Sequence, residues 1–84
     1  MYKITFSKKA DKALRRMPRN TALTIGKKIK ELADNPGRMR NVKKLTEHPA
    51  YRLRVGDWRI IYTVNDNEVL IHIINIKTRG EVYK

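Results

Sequence analysis

The sequence predicts an α+β fold of order βααβββ, in which an antiparallel or mixed, twisted sheet carries a helical hairpin packed on one face. Three patterns predict it. Residues 51–62 alternate apolar and polar through a two-residue turn signal at Gly56-Asp57, apolar positions in 10–33 recur at helical spacing in two stretches, and 69–76 is an almost continuous apolar run. Helices and strands segregated along a chain in this way pack as two layers. With 84 residues there is room for one domain, spanning 1–84.

Each element follows from its own residues. Tyr2, Ile4 and Phe6 alternate with Lys3 and Thr5, the period of a half-buried strand. Ser7 is placed to cap a helix in which Ala10, Ala13, Leu14 and Met17 form the apolar stripe, leaving Lys8, Lys9, Lys12, Arg15 and Arg16 to solvent. Pro18 ends that helix and suits the first turn of the next. The second helix reaches Asp34 on a stripe of Ala22, Ile25, Ile29, Leu32 and Ala33, and Gly26 beside it suggests a close approach to the Ala10/Ala13 face. Asn35-Pro36-Gly37 breaks the helix, and a loop follows to Pro49 with a short extended piece at Val42–Leu45. Tyr51–Val55 and Trp58–Val64 form a hairpin about Gly56-Asp57. Asn65-Asp66-Asn67 turns into a last strand at Val69–Ile76, expected to be central and covered on both faces for part of its length.

Composition narrows the function. The chain carries 20 Lys and Arg against 8 Asp and Glu, a net charge of +12 at pH 7. Self-repulsion of that size opposes compaction and points to nucleic acid, an acidic protein segment or an anionic membrane surface as partner. Residues 1–40 hold 12 basic and 3 acidic side chains, an excess to which solubilising helix surfaces contribute. Without cysteine there is no disulfide framework, thiolate zinc site or thiol nucleophile, and His48 and His72 alone cannot hold a metal. Neither metal nor cofactor is expected. The apolar runs fall far short of the roughly 20 residues of a membrane span. Lys8, Lys9 and Asp11 interrupt any secretory h-region, so a cytoplasmic protein without membrane contact is the expectation. Paired carboxylates, a phosphate-cradling glycine loop and a Ser/His/Asp pattern are all absent from the sequence.

The hairpin register gathers charge. With a two-residue loop, Val55 faces Trp58, Arg54 faces Arg59, Leu53 faces Ile60 and Arg52 faces Ile61. Tyr51, Leu53, Val55, Trp58, Ile60 and Tyr62 then share the core face, while Arg52, Arg54 and Arg59 share the other. Like charges opposite one another on a sheet are unfavourable, so a platform for phosphate explains them better than solubility does. The planar fork of Arg takes two phosphate oxygens at once. Lys77, Arg79 and Tyr83 follow the last strand, and an antiparallel return brings Arg79 close to Arg54 and Arg59. Lys43 and Lys44, just before the hairpin, border the same surface. Tyr83 offers a base a stacking face or offers a hydroxyl to ribose or phosphate. His72, opposite Ile61 in this register and amid Leu70, Ile71, Ile73 and Ile74, is read as structural.

The segment Tyr51-Arg-Leu-Arg-Val-Gly-Asp-Trp-Arg-Ile-Ile-Tyr62, closed by Arg79-Gly-Glu-Val-Tyr83, resembles the RelE branch of the RelE/ParE toxin superfamily. The upstream βαα block and the Lys44-Leu45 step fit the same layout, so the resemblance spans essentially the whole chain. It implies a toxin of a type II toxin–antitoxin pair: an endoribonuclease that enters the ribosomal A site, with its 16S rRNA surroundings, cuts the messenger there, and is masked by a cognate acidic antitoxin. Carried onto this sequence, Arg52 and Arg54 match the basic pair of the first hairpin strand, and Arg59 the phosphate-contacting Arg of the next. Arg79 matches the Arg of the C-terminal loop, and Tyr83 the tyrosine that stacks on or activates the cleaved nucleotide. The resemblance thus makes Arg54, Arg59, Arg79 and Tyr83 the catalytic set and Lys43, Lys44, Arg52 and Lys77 the RNA-binding set.

Two departures bear on mechanism. Many relatives carry His before the loop Arg, where this chain has Thr78, and some have lysines at the hairpin positions. Arg stays protonated and cannot readily act as a general base. Rate enhancement should therefore come from aligning the ribose 2′-hydroxyl with the phosphate and from stabilising charge on the phosphorane, with Tyr83 as the residual base. The products would be a 2′,3′-cyclic phosphate and a 5′-hydroxyl. The alternatives are a gyrase-poisoning ParE-like toxin, or an inactive cationic module held by an acidic antitoxin.

Overall fold

The computed structural model describes residues 1–38, 42–45 and 49–78. Its elements are β1 (Lys3–Phe6), α1 (Lys8–Arg16), α2 (Arg19–Asp34), a single 3₁₀ turn (Pro36–Arg38), β2 (Val42–Lys44), β3 (Tyr51–Val55), β4 (Trp58–Asn65) and β5 (Leu70–Thr78). The five strands form one mixed sheet in the order β1-β5-β4-β3-β2, with β1 parallel to β5 and the other neighbours antiparallel. The predicted α+β class is the observed one, and the short extended piece after the helices is a true edge strand.

Both helices bury their stripes against a single face of the sheet. Ala10, Ile25, Ile29, Leu32 and Ala33 share one core with Leu53, Ile60, Tyr62, Ile71, Ile73 and Ile76. Ile25, Leu32, Ile60, Ile71 and Ile73 are fully buried, each stabilising the fold by about 1.5–3 kcal/mol. Ser7 caps α1 as expected: its Oγ accepts from the Ala10 N–H at 3.0 Å and also donates to the Ile74 carbonyl, tying the helix start to β5.

The hairpin register holds residue for residue, with Arg52 opposite Ile61, Leu53 opposite Ile60, Arg54 opposite Arg59 and Val55 opposite Trp58. Gly56 takes φ +59, the left-handed geometry such a two-residue turn requires. The β4–β5 pairing departs from a regular ladder. Ile61 pairs with Asn75 but Tyr62 pairs with Ile73, so Ile74 is an extra residue. That insertion explains the apolar run: it switches parity between Ile73 and Ile76, and both stay in the core while Ile74 turns to the other face, 37% exposed. The Asn75 side chain accepts from the Ile76 N–H at 2.8 Å, satisfying backbone at the irregularity. β5 is therefore interior to the sheet, and no described helix covers its second face.

Other expectations are corrected. His72 lies opposite Thr63 rather than Ile61, because the β4–β5 turn pairs Asn65 with Leu70, and its Nδ1 lies 2.7 Å from the Thr5 Oγ1 of β1. Pro18 is the N-cap of α2 rather than a first-turn residue, its carbonyl accepting from Ala22 N–H at 3.0 Å. Gly26 is exposed, and a Cβ there would meet nothing within 4 Å, so no close approach of helices requires it. The last strand begins at Leu70 because Val69 adopts φ 52, a conformation β-branched residues resist, while its carbonyl accepts from Lys3 N–H at 2.8 Å.

Tyr51 and Tyr62, paired across β3 and β4, stack with ring centroids 5.6 Å apart. Burial, with a smaller contribution from Tyr51, pushes the Tyr62 phenol up to about 12 from 10.0. A value raised in the folded state means that the neutral phenol's contribution is complete below pH 10 and is lost as pH rises through about 12. Tyr62→Phe keeps the ring and removes the titration. Wild type should therefore lose stability relative to this variant across that window, in urea midpoints measured at successive pH values; parallel curves would refute the assignment.

Candidate functional site

Strand alternation sends the side chains of Arg52, Arg54 and Arg59 to the face that no described helix covers. The pairing extends the row in both directions. Arg59 lies opposite Lys77 on β5, and Arg52 opposite Lys43 on β2. Two cross-strand lines result, Arg54–Arg59–Lys77 near the hairpin turn and Lys43–Arg52 one step away. Cross-strand neighbours have Cβ atoms about 4.5–5.5 Å apart, so the sheet sets the stems of these cationic side chains side by side.

None of them has an ion-pair partner among the described residues. Among the described residues the ion pairs are Arg15–Asp11 at 3.1 Å and Lys28–Glu31 at 3.5 Å, both on helices. A small hollow of about 290 Å³ opens between Arg54, Gly56, Asp57 and Arg59, with a polar lining. Arg54 and Lys43 are exposed, while Arg52, Arg59 and Lys77 are half-buried, their stems lying on the sheet. Half-burial costs these side chains part of the freedom they would otherwise lose on binding, so the row is partly organised before any anion arrives.

Lys44 does not join them. It pairs with Tyr51 and so has the parity of the helix-covered face, exposed at the sheet edge. Arg79 and Tyr83 lie outside the described residues, as does His48; Thr78, the residue before Arg79, pairs with Trp58 beside the hairpin turn. Sequence reasoning missed an apolar depression of about 360 Å³ on the same open face, lined by Leu45, Pro49, Ala50, Ile61, Thr63 and Ile74. Ile61 carries the parity of Arg59 and could have signalled it; Ile74 reaches it only through the bulge.

A family model for the ParE toxin of type II toxin–antitoxin systems, parDE, matches residues 4–83. The chain belongs to the RelE/ParE toxin superfamily. Solved structures place it on the RelE side by fold. The RelE–RelB complex of the archaeon Pyrococcus horikoshii contains a chain 31% identical, with TM-score 0.82 over 94% of this chain and 96% of that one. The isolated E. coli RelE toxin is 27% identical, with TM-score 0.80 over 99% and 92%. The RelB–RelE complex of Methanococcus jannaschii gives 27% and 0.76 over 94% of each chain. None of the curated proteins matches the sequence. This RelE-like toxin thus presents its cationic row on the open side of the sheet, and no helix among its described residues is long and apolar enough to cross a membrane.

Proposed function

We propose that this RelE-like toxin is an endoribonuclease that cleaves messenger RNA in the ribosomal A site, and that a cognate acidic antitoxin masks it. The observation that supports this reading best is the Arg54–Arg59–Lys77 line, without ion-pair partners among the described residues and flanked by Lys43 and Arg52. A phosphodiester carries the charge such a row lacks, and guanidinium groups grip its oxygens in pairs. In the reaction the ribose 2′-oxygen loses its proton and attacks the adjacent phosphorus. The P–O5′ bond breaks, the 5′-oxygen gains a proton, and a 2′,3′-cyclic phosphate remains. Arg54 and Arg59 stabilise charge on the phosphorane, Arg79 completes the grip, and Tyr83 takes or relays the 2′ proton. Lys43, Arg52 and Lys77 hold the flanking backbone. The apolar depression gives the uncharged part of a neighbouring nucleotide a surface. The antitoxin assignment draws on the solved RelE–RelB complexes and on the +12 charge, which an acidic segment would offset.

A second reading, gyrase poisoning, is favoured by the family model's being one of ParE toxins. Primer extension on total RNA after induction separates the two. Breaks within translated reading frames are expected; intact messages with accumulated gyrase–DNA cleavage complexes would transfer the assignment.

A further inference from the structure

On the helix side of the sheet, at the end of the β3–β4 pair remote from Gly56, lies a cavity of about 530 Å³ whose walls include Tyr2, Asp34, Tyr51, Tyr62 and Asp66. We infer that it is a binding site for an organic cation, a guanidinium or alkylammonium group, independent of the arginine row and of the reading given to it.

Four observations converge on it. First, Tyr62 is only 1% exposed and lines the cavity, yet its hydroxyl has no hydrogen-bond partner among the described residues. The hydroxyl is not sealed from the cavity, and a ligand N–H could supply one. Second, the stacked Tyr51 and Tyr62 rings lie with planes 21° apart, and Tyr2 adds a third aromatic wall. Aromatic faces attract ammonium and guanidinium groups within about 6 Å of the ring centroid. Third, neither Asp34 nor Asp66 has an ion-pair partner among the described residues, in a chain with 20 Lys and Arg. The Tyr2 hydroxyl donates to Asp66 Oδ1 at 2.7 Å and holds that carboxylate at the rim, leaving its second oxygen for a ligand. Fourth, Asp34 ends α2, whose last turn has no basic residue. A carboxylate at the negative end of a helix dipole is unfavourable on its own, and a bound cation reverses that.

The ligand's charge follows from this set. An anion would face two carboxylates, and a neutral molecule would leave both uncompensated. The overall charge of +12 repels cations at long range, so any saturable binding of one reports the local site. The cation has two sources, a free small molecule or a basic side chain on a protein segment.

NMR titration of the full-length toxin with agmatine, and separately with capped Gly-Arg-Gly, tests the site. Saturable shifts should be confined to Tyr2, Asp34, Tyr51, Tyr62 and Asp66. Asp34→Asn, a change at an exposed residue, should weaken binding about tenfold. Tyr62→Phe, which deletes only the unpaired hydroxyl, should weaken it about threefold. Arg54→Ala should leave it unweakened. Tighter binding of the tripeptide assigns the site to a protein segment, and tighter binding of agmatine to a free cation; either upholds it. Shifts that do not saturate, that spread over the surface, or that survive unchanged in both cavity variants would overturn it. Loss of messenger cleavage in the same protein would bear on the arginine row alone.

Discussion

Arg54→Ala and Arg59→Ala are each expected to lower single-turnover cleavage of A-site message by roughly 10²–10³-fold, the usual loss when one charge-stabilising group aimed at a transition state is removed. Both side chains stand on the face that no described helix covers, and neither belongs to the core. Their removal also relieves a like-charge pair directly across the strands, so thermal stability should hold or rise slightly. That combination, a slower enzyme with an unharmed fold, separates a catalytic row from a structural one. Arg59→Lys refines the test, because it keeps the charge and loses the planar fork. Its rate should fall between wild type and Ala if two phosphate oxygens are held together, and should match wild type if only charge counts. Salt distinguishes the flanking groups: Lys43→Ala and Arg52→Ala should mainly weaken binding and reduce its salt dependence, since backbone contacts act by releasing counterions. Wild-type rates in Arg54→Ala and Arg59→Ala, with ribosome binding intact, would leave the row as a solvated surface and remove the basis of the proposed chemistry.

Why the row was legible while the cavity was not is a matter of range. Gly56-Asp57 fixes the β3–β4 register within a dozen residues, and alternation then assigns Arg52, Arg54 and Arg59 to one face without knowledge of the rest of the chain. The helix stripes are equally local; Ile25, Ile29, Leu32 and Ala33 are buried as their spacing requires. The bulge opposite Ile61 and Tyr62 is different. It arises from the pairing of two strands, and only the parity conflict in Ile73-Ile74-Asn75-Ile76 hints at it. The partner of His72 depends instead on the β4–β5 turn, whose pairing of Asn65 with Leu70 sets Thr63 opposite it. Gly26 suggests a contact because glycine in a helix costs about 1 kcal/mol against Ala and invites a reason; the exposed position supplies none. The aromatic cavity depends on Tyr2 meeting Asp66, 64 positions away, through the parallel pairing of β1 with β5. No period along the chain encodes that meeting.

Tyr83→Phe and Tyr83→Ala should differ in a way that decides whether the C-terminal tyrosine does chemistry. The arginines of the proposed site stay protonated and cannot accept the 2′ proton, and Thr78 stands where many relatives have His. Tyr83 is then the remaining side chain of the proposed set able to take or relay it. Phe keeps the ring and deletes the hydroxyl. Ribosome binding should survive that change, while cleavage falls by roughly 10²-fold or more, the scale of lost general acid–base catalysis. Ala removes the ring as well and should add a binding defect, because stacking of a base on an aromatic ring is worth about 1–3 kcal/mol. The alternative outcome is equally specific: if the ring only stacks, Phe is nearly silent and Ala alone is damaging. The pH profile gives an independent reading. Proton transfer through the hydroxyl makes the wild-type rate depend on pH in a way that the residual rate of the Phe variant does not share, whereas a stacking role leaves the two profiles parallel. Single-turnover cleavage and binding constants for the three proteins, measured together, separate these cases. Wild-type rates in both variants would exclude Tyr83 from the site and leave charge stabilisation by Arg54, Arg59 and Arg79 to account for the reaction.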